Sequence, residues 1–237
     1  MSLAEKTKTI AENVPKVFEN GKRVGKQVEY DRFWDSFQDY GNRTHYGYGF
    51  AGDGWNNDTF KPKYNICPST ASAIFYSVEI EGDFVELLSA LGITLDLSQA
   101  TNLSSAFSSS TFITRLGVMN TSNATTIATM FSACYGLVTI DKLILKSDGS
   151  QTITNVLSQC NALENLTIEG VIGKNGFDIH WSTKLSHNSL MSIIYALQDK
   201  TGDTSGTSWV CTLGTENLAK LSDAEKAIAT EKGWSLL

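Results

Sequence analysis

The chain has 237 residues, of which 41% are hydrophobic and only 19% charged, and its net charge of −6 comes without any run of basic residues. A surface that lacks Lys/Arg clusters argues against nucleic acid and anionic membrane surfaces as partners. No stretch approaches the roughly 18 apolar residues of a membrane span, which predicts no membrane insertion, and no signal-peptide pattern opens the sequence.

Residues 1–40 are predicted to form an N-terminal helical, coiled-coil segment. Small or apolar residues recur there at alternating steps of four and three, the spacing of a coiled-coil seam: Ile10, Val14, Val17, Gly21, Val24 and Val28. The glycine leaves a hole in the seam and valines are mediocre helix formers, so the helix needs a partner. That partner is either a second copy of the chain, giving a homo-oligomer, or the chain's own repeat domain.

Residues 41–70 form an aromatic-rich segment that leads into the repeats. Tyrosine, tryptophan and phenylalanine alternate there with glycine. Amphipathic rings on loops suit sugar binding, which makes Tyr46, Tyr48 and Trp55 the candidate ligand-binding residues. The alternative is that these rings cap the exposed end of the first repeat.

Residues 71–170 contain a repeat. Ala106-Phe107-Ser108 returns as Met130-Phe131-Ser132 and, more loosely, as Val156-Leu157-Ser158, so that the central residues lie 24 and then 26 positions apart. Apolar residues at fixed offsets in a period of this size predict a solenoid, whose units bury their apolar side chains only against their neighbours. Four short apolar segments are each expected to add a strand to a parallel sheet: 95–97, 116–118, 143–145 and 166–168.

Residues 171–237 are predicted to form a C-terminal α/β cap. Ser186 can cap a helix with apolar residues from Leu190 to Leu197, and a strand is expected over 208–213. Ser222 and Glu225 have the spacing of a capping box for a final helix, which Gly233 ends.

The four cysteines, Cys67, Cys134, Cys160 and Cys211, form no C-x-x-C pair, so no zinc site is predicted. Two of them, Cys134 and Cys160, occupy equivalent positions in adjacent repeats. They are either packing thiols or a disulfide.

No constellation of residues typical of catalysis is recognisable. The histidines His45, His180 and His187 have no metal-ligand spacing, and neither a G-x-S-x-G elbow nor a phosphate-binding glycine loop occurs. Asp83, Asp96 and Glu169 could converge as in a glycosidase, but a solvated surface role is simpler. The sequence therefore predicts a protein that is not an enzyme, with no catalytic residue, metal or cofactor, and leaves a glycan hydrolase as a third hypothesis.

Thr121-Ser122-Asn123-Ala124-Thr125 followed by Met130-Phe131-x-x-Cys134-x-x-Leu137 resembles the BspA-like leucine-rich repeats of bacterial surface proteins. The first repeat has Ser110 in place of the cysteine, and the third has 148–152 in place of the T-S-N-A-T segment. The resemblance covers roughly a third of the chain. It implies an α/β fold: a short leucine-rich-repeat solenoid with a parallel sheet on one face and short helices or turns on the other.

Two further segments, 51–64 and 217–234, are similar to segments of tail or baseplate-associated proteins that carry such repeats in phages and prophages of Gram-positive bacteria. This resemblance implies a structural or receptor-binding virion protein that contacts a protein or a cell-surface glycan. The alternative is a BspA-like adhesion protein, secreted or on the bacterial cell surface. The low charge and abundant Ser, Thr and Asn suit either location.

Overall fold

The computed structural model describes residues 65–66, 72–77, 82–91 and 94–237. The predicted N-terminal helix and nearly all of the segment 41–70 lie outside these residues. The described elements are, in chain order, β1 (Asn65–Ile66), β2 (Gly82–Asp83), α1 (Phe84–Leu91), β3 (Thr94–Leu95), β4 (Ile113–Asn120), β5 (Thr139–Ile144), β6 (Asn165–Glu169), α2 (His187–Ala196), β7 (Trp209–Cys211), α3 (Thr215–Leu218), α4 (Asp223–Glu231) and β8 (Trp234–Leu236).

The central feature of the fold is a four-stranded parallel sheet with the strand order β2-β4-β5-β6. Its register places Leu116 opposite Ile140 and Ile140 opposite Leu166, all three buried. Each strand therefore contributes apolar side chains to one shared core, as a stack of repeated units requires. The predicted α/β class and the parallel sheet are confirmed.

One predicted strand does not join this sheet. The segment expected at 95–97 begins as β3, which pairs with β1 instead of with β4. It ends early because the Asp96 carboxylate accepts a hydrogen bond from the backbone N–H of Ser98 at 2.9 Å, forming a local turn. The strand that pairs with β4 at this side of the sheet is β2, in which Asp83 lies opposite Arg115.

Tight turns separate successive strands of the sheet. Each contains two non-glycine residues with left-handed backbone conformation, four positions apart: Ala73 and Ser77, Ser105 and Ser109, Thr129 and Ala133, Asn155 and Gln159. Backbone hydrogen bonds join each turn to the next, from Phe75 N–H to Ala106 O, from Phe107 N–H to Met130 O and from Phe131 N–H to Val156 O. Equivalent residues therefore lie above one another, and the repeated phenylalanines stack inside.

The equivalent cysteines are buried free thiols that hydrogen-bond to the preceding repeat. Cys134 Sγ donates to Phe107 O at 3.0 Å, and Cys160 Sγ donates to Phe131 O at 3.1 Å. Ser110 Oγ makes the same bond to Phe75 O at 2.6 Å. The serine replaces cysteine in the first repeat because a hydroxyl can satisfy the same buried carbonyl.

These thiols are expected to be unreactive in the folded protein. Burial raises the pKa of both Cys134 and Cys211 to about 12 and raises that of Cys160 well above its usual range. A Cys67→Ser variant should therefore show no reaction with Ellman's reagent until it is unfolded, when these three thiols should titrate. Fewer than three thiols after unfolding without reductant would contradict the free-thiol state.

The hydrogen-bonding pattern of the turns continues beyond residue 170, where the sequence period was predicted to end. Asn155 N–H donates to Gly176 O, Ser182 Oγ donates to Cys160 O at 3.0 Å, and Leu185 N–H donates to Ser182 O. Residues 176–185 thus form one more turn of the stack. The sequence conceals this turn because Ile179 and Ser182 stand in place of the phenylalanine and cysteine of the motif, and Ser182 follows Cys160 by only 22 positions.

Helix α2 covers the edge of the sheet that is formed by β6, the last strand in the order. Ser189 Oγ accepts the backbone N–H of Leu166 at 2.9 Å, and Ser192 Oγ accepts that of Ile168 at 2.7 Å. Two hydroxyls three positions apart on a helix therefore match alternate N–H groups of β6. The predicted N-cap is confirmed, since the Ser186 side chain accepts the N–H of Ser189.

The C-terminal region forms a separate two-stranded parallel sheet of β7 and β8, with α3 and α4 between them in the chain. The predicted capping box of α4 is confirmed, with reciprocal bonds between Ser222 and Glu225, and Gly233 follows the helix with a φ of 82°. A bridge between Asp178 and Thr212 joins this region to the last turn of the stack. None of the described helices has the length and apolar character needed to cross a lipid bilayer.

Candidate functional site

The ligand-binding residues predicted from the sequence, Tyr46, Tyr48 and Trp55, lie outside the described residues. Their role in sugar binding stays a prediction.

The three carboxylates considered for a glycosidase make separate contacts. Asp83 Oδ1 accepts the N–H groups of Val85 and Glu86 at the start of α1. Hydrogen bonds from the side chain and backbone of Ser98 lower the pKa of Asp96, and Glu169 pairs with Lys142 Nζ at 2.8 Å. Each of the three carboxylates therefore has its own structural contact at the protein surface.

Two of the three histidines are each paired with a carboxylate, and His45 lies outside the described residues. His180 Nδ1 lies 2.6 Å from Asp178 Oδ1, and His187 Nε2 lies 2.8 Å from Glu225 Oε1. Within the part of the chain that the structure describes, no group of three or more His, Cys, Asp or Glu side chains is placed to hold a metal ion.

The solvent-facing side of the sheet carries a three-residue ion network. Arg115 donates two bonds to Asp141, from Nε at 3.0 Å and from Nη2 at 2.6 Å, and a third from Nη1 to Asp83 Oδ2 at 3.0 Å. These contacts raise the pKa of the guanidinium. Because the three residues lie on β4, β5 and β2, the network ties adjacent strands together.

Removing this network should cost a modest amount of stability. Arg115 is 40% exposed, so solvent screens its ion pairs, and Arg115→Met is expected to lower the free energy of unfolding by about 1 kcal/mol. Urea unfolding at low and high salt measures this, and the difference should shrink at high salt. Lys142→Met removes one exposed pair with Glu169 and serves as the control, with an expected loss below about 0.5 kcal/mol. Equal losses would contradict a network role.

An open cavity of about 530 Å³ lies in the C-terminal region, lined by residues of 198–209. The Trp209 indole donates to Asp203 Oδ2 at 2.6 Å, and the Lys200 ammonium lies 3.9 Å from a ring centre of Trp209. The same ammonium donates to Gln198 Oε1 at 2.7 Å. Lys200 and Asp203 therefore each have a neutral partner within the cavity wall, and the bond from Trp209 to Asp203 holds the loop 201–208 against the indole.

A row of side chains along one edge of the stack was missed by the sequence reasoning. We name Tyr135, Gln159 and Trp181 the aromatic edge. Its two rings, Tyr135 and Trp181, are each 47% exposed. The sequence signal was present, because Tyr135 directly follows the repeat cysteine Cys134, but only the stacked turns reveal that Trp181 belongs to the same edge.

Comparison with known proteins identifies no relative of this chain. No protein-family model, curated protein or solved structure matches it.

Proposed function

We propose that this chain is a non-enzymatic, tail-associated protein of a phage or prophage of Gram-positive bacteria, with a structural or receptor-binding role in the virion. A short leucine-rich-repeat solenoid displays the surface that contacts a protein or a cell-surface glycan. The N-terminal helix assembles copies of the chain.

The observation that carries this proposal is the ladder of backbone hydrogen bonds that joins turn to turn from Ala73 to Gly176. Each repeat consists of one strand and one turn. Repeats of this kind stack into a curved domain with long continuous faces. Such domains bind partners on these faces in place of an enclosed pocket.

The charges on the solvent-facing sheet also favour a neutral partner. Arg115 is paired with Asp83 and Asp141, and Lys142 is paired with Glu169. With these charges neutralised within the chain, recognition depends on shape and hydrogen bonding more than on long-range attraction. An uncharged glycan or a polar protein surface fits this condition.

Binding to bacterial cells tests the receptor-binding role. Fluorescently labelled full-length protein is expected to bind Gram-positive cells and their purified walls saturably, and Gram-negative cells serve as the control. Absence of binding to a panel of Gram-positive hosts would contradict receptor binding.

Absolute mass in solution tests the assembly role. The full chain is expected to be an oligomer by light scattering after size exclusion. A double substitution in the predicted seam, Val17→Asp with Val24→Asp, should make it monomeric, because charges at seam positions oppose helix association. A monomeric unmodified chain would count against a tail component.

The second candidate is a BspA-like adhesion protein, favoured by the T-S-N-A-T and M-F-x-x-C-x-x-L segments of the repeat 121–137. It predicts a monomer whose solenoid binds a host protein. In that case the seam substitutions should leave binding unchanged.

A further inference from the structure

We infer that the aromatic edge binds an extended, uncharged polysaccharide, one sugar ring to each turn of the stack. This inference rests on the proposed function and names the ligand class for it.

The stacked turns bring the side chains of the aromatic edge into one row. Ser110, Cys134, Cys160 and Ser182 are equivalent buried positions, because each bonds to a carbonyl of the preceding turn. Tyr135 follows the second of these positions, Gln159 precedes the third and Trp181 precedes the fourth. Ring, amide and ring therefore occupy three successive turns.

Contacts within the row fix its side chains before a ligand arrives. The Tyr135 hydroxyl donates to Gln159 Oε1 at 3.0 Å, which orients the amide. The Trp181 ring packs against the imidazole of His180 with centroids 4.5 Å apart, and Asp178 holds that imidazole. A row of pre-oriented side chains loses little conformational entropy on binding.

The spacing and chemistry of the row match a polysaccharide. Stacked rings on successive turns, such as Phe107 and Phe131, lie 5.8 Å apart, close to the ~4.8 Å separation of adjacent strands. An equatorially linked pyranose advances a sugar chain by a similar length. Sugar rings offer apolar faces to aromatic side chains and hydroxyls to amides, and no member of the aromatic edge carries a charge.

The exposed area of the edge is too small for a stable protein interface. Two aromatic side chains, each about half exposed, offer about 200 Å², since such a side chain buries about 150–250 Å² in full. A standard protein interface covers about 800 Å² on each partner. A narrow row of rings instead fits a narrow, extended ligand.

The test uses the full-length chain with two probes: a soluble β-1,4-linked N-acetylglucosamine pentamer, and insoluble chitin, the uncharged polymer of the same sugar. Calorimetry and sedimentation should show binding of both. Trp181→Ala and Tyr135→Ala should each weaken it by about tenfold, while Tyr135→Phe, which keeps the ring, should retain most of it. Tyr195→Ala is the matched control, since this tyrosine is 64% exposed on α2, outside the edge, and should bind normally.

Each contrary outcome is distinct. Binding of the probes that is unaffected by the two edge substitutions, or equally weakened by Tyr195→Ala, would overturn the assignment of the site. Binding to whole cells without binding to either probe would overturn the ligand class and leave the proposed function standing. Failure to bind cells and probes alike would overturn both this inference and the receptor-binding role, while the assembly role is tested separately by the mass in solution. Thermal midpoints should stay unchanged in all four variants, because the altered side chains are exposed.

Discussion

Replacing Phe107 with alanine is expected to lower the free energy of unfolding by about 3–5 kcal/mol. The ring is fully buried and contacts three other rings, with centroids 4.8 Å from Phe75, 5.6 Å from Phe84 and 5.8 Å from Phe131. Its loss opens a cavity between turns on both sides, so two interfaces of the stack weaken at once. A domain with a total stability of about 5–15 kcal/mol would lose a large share of it.

Phe112→Ala is the matched control for this substitution. It removes the same atoms five positions along the chain, but from a side chain that is 57% exposed, and should change stability by less than about 0.5 kcal/mol. Chemical denaturation of the three proteins gives both differences. Similar losses at the two positions would mean that the phenylalanines do not stack as described.

Substituting Gly170 with alanine is expected to cost about 3 kcal/mol of stability. The glycine has a φ of 95°, in a region where side chains cause strain of order 1–3 kcal/mol. A Cβ there would also collide with the Leu145 carbonyl group, whose carbon would be 2.9 Å away, and overpacking typically adds ~1–3 kcal/mol. The collision is with backbone, so side-chain rearrangement cannot relieve it.

Gly202→Ala separates this steric effect from a general effect of losing glycine. A Cβ at this exposed loop position would meet no atom within 4 Å. The alanine should be neutral or stabilise the protein by about 0.4–1 kcal/mol, because it restricts the unfolded chain. The thermal midpoint should therefore fall for Gly170→Ala and stay unchanged or rise for Gly202→Ala. A Gly170→Ala protein as stable as the original would contradict the close approach to Leu145.

Elements that depend on local pattern were predictable from the sequence. The N-cap at Ser186, the capping box at Ser222 and the strands around Leu116, Leu143 and Leu166 all agree with the structure. Each of these elements is determined by the spacing of apolar residues, or by a side-chain hydrogen bond, over only a few residues of sequence. The equivalence of Cys134 and Cys160 followed from the period alone.

Features that depend on backbone contacts between distant segments were not predictable. The turn at 176–185 carries Ile179 and Ser182 in place of the motif's phenylalanine and cysteine, and β3 pairs with β1, a strand about 30 positions earlier. The aromatic edge was missed for the same reason. Trp181 is 46 positions from Tyr135 and shares a row with it only because the turns stack.

The two serine hydroxyls of α2 that occupy the edge of β6 also limit how this protein can change and associate. A parallel sheet with a bare edge could extend by pairing with the next molecule, and the stack could grow into a fibre. Ser189 and Ser192 occupy the donors that such growth would use. Because α2 stays packed over this edge, Ser189→Ala with Ser192→Ala would leave two N–H groups of β6 without partners beneath the helix, which should destabilise this end of the sheet.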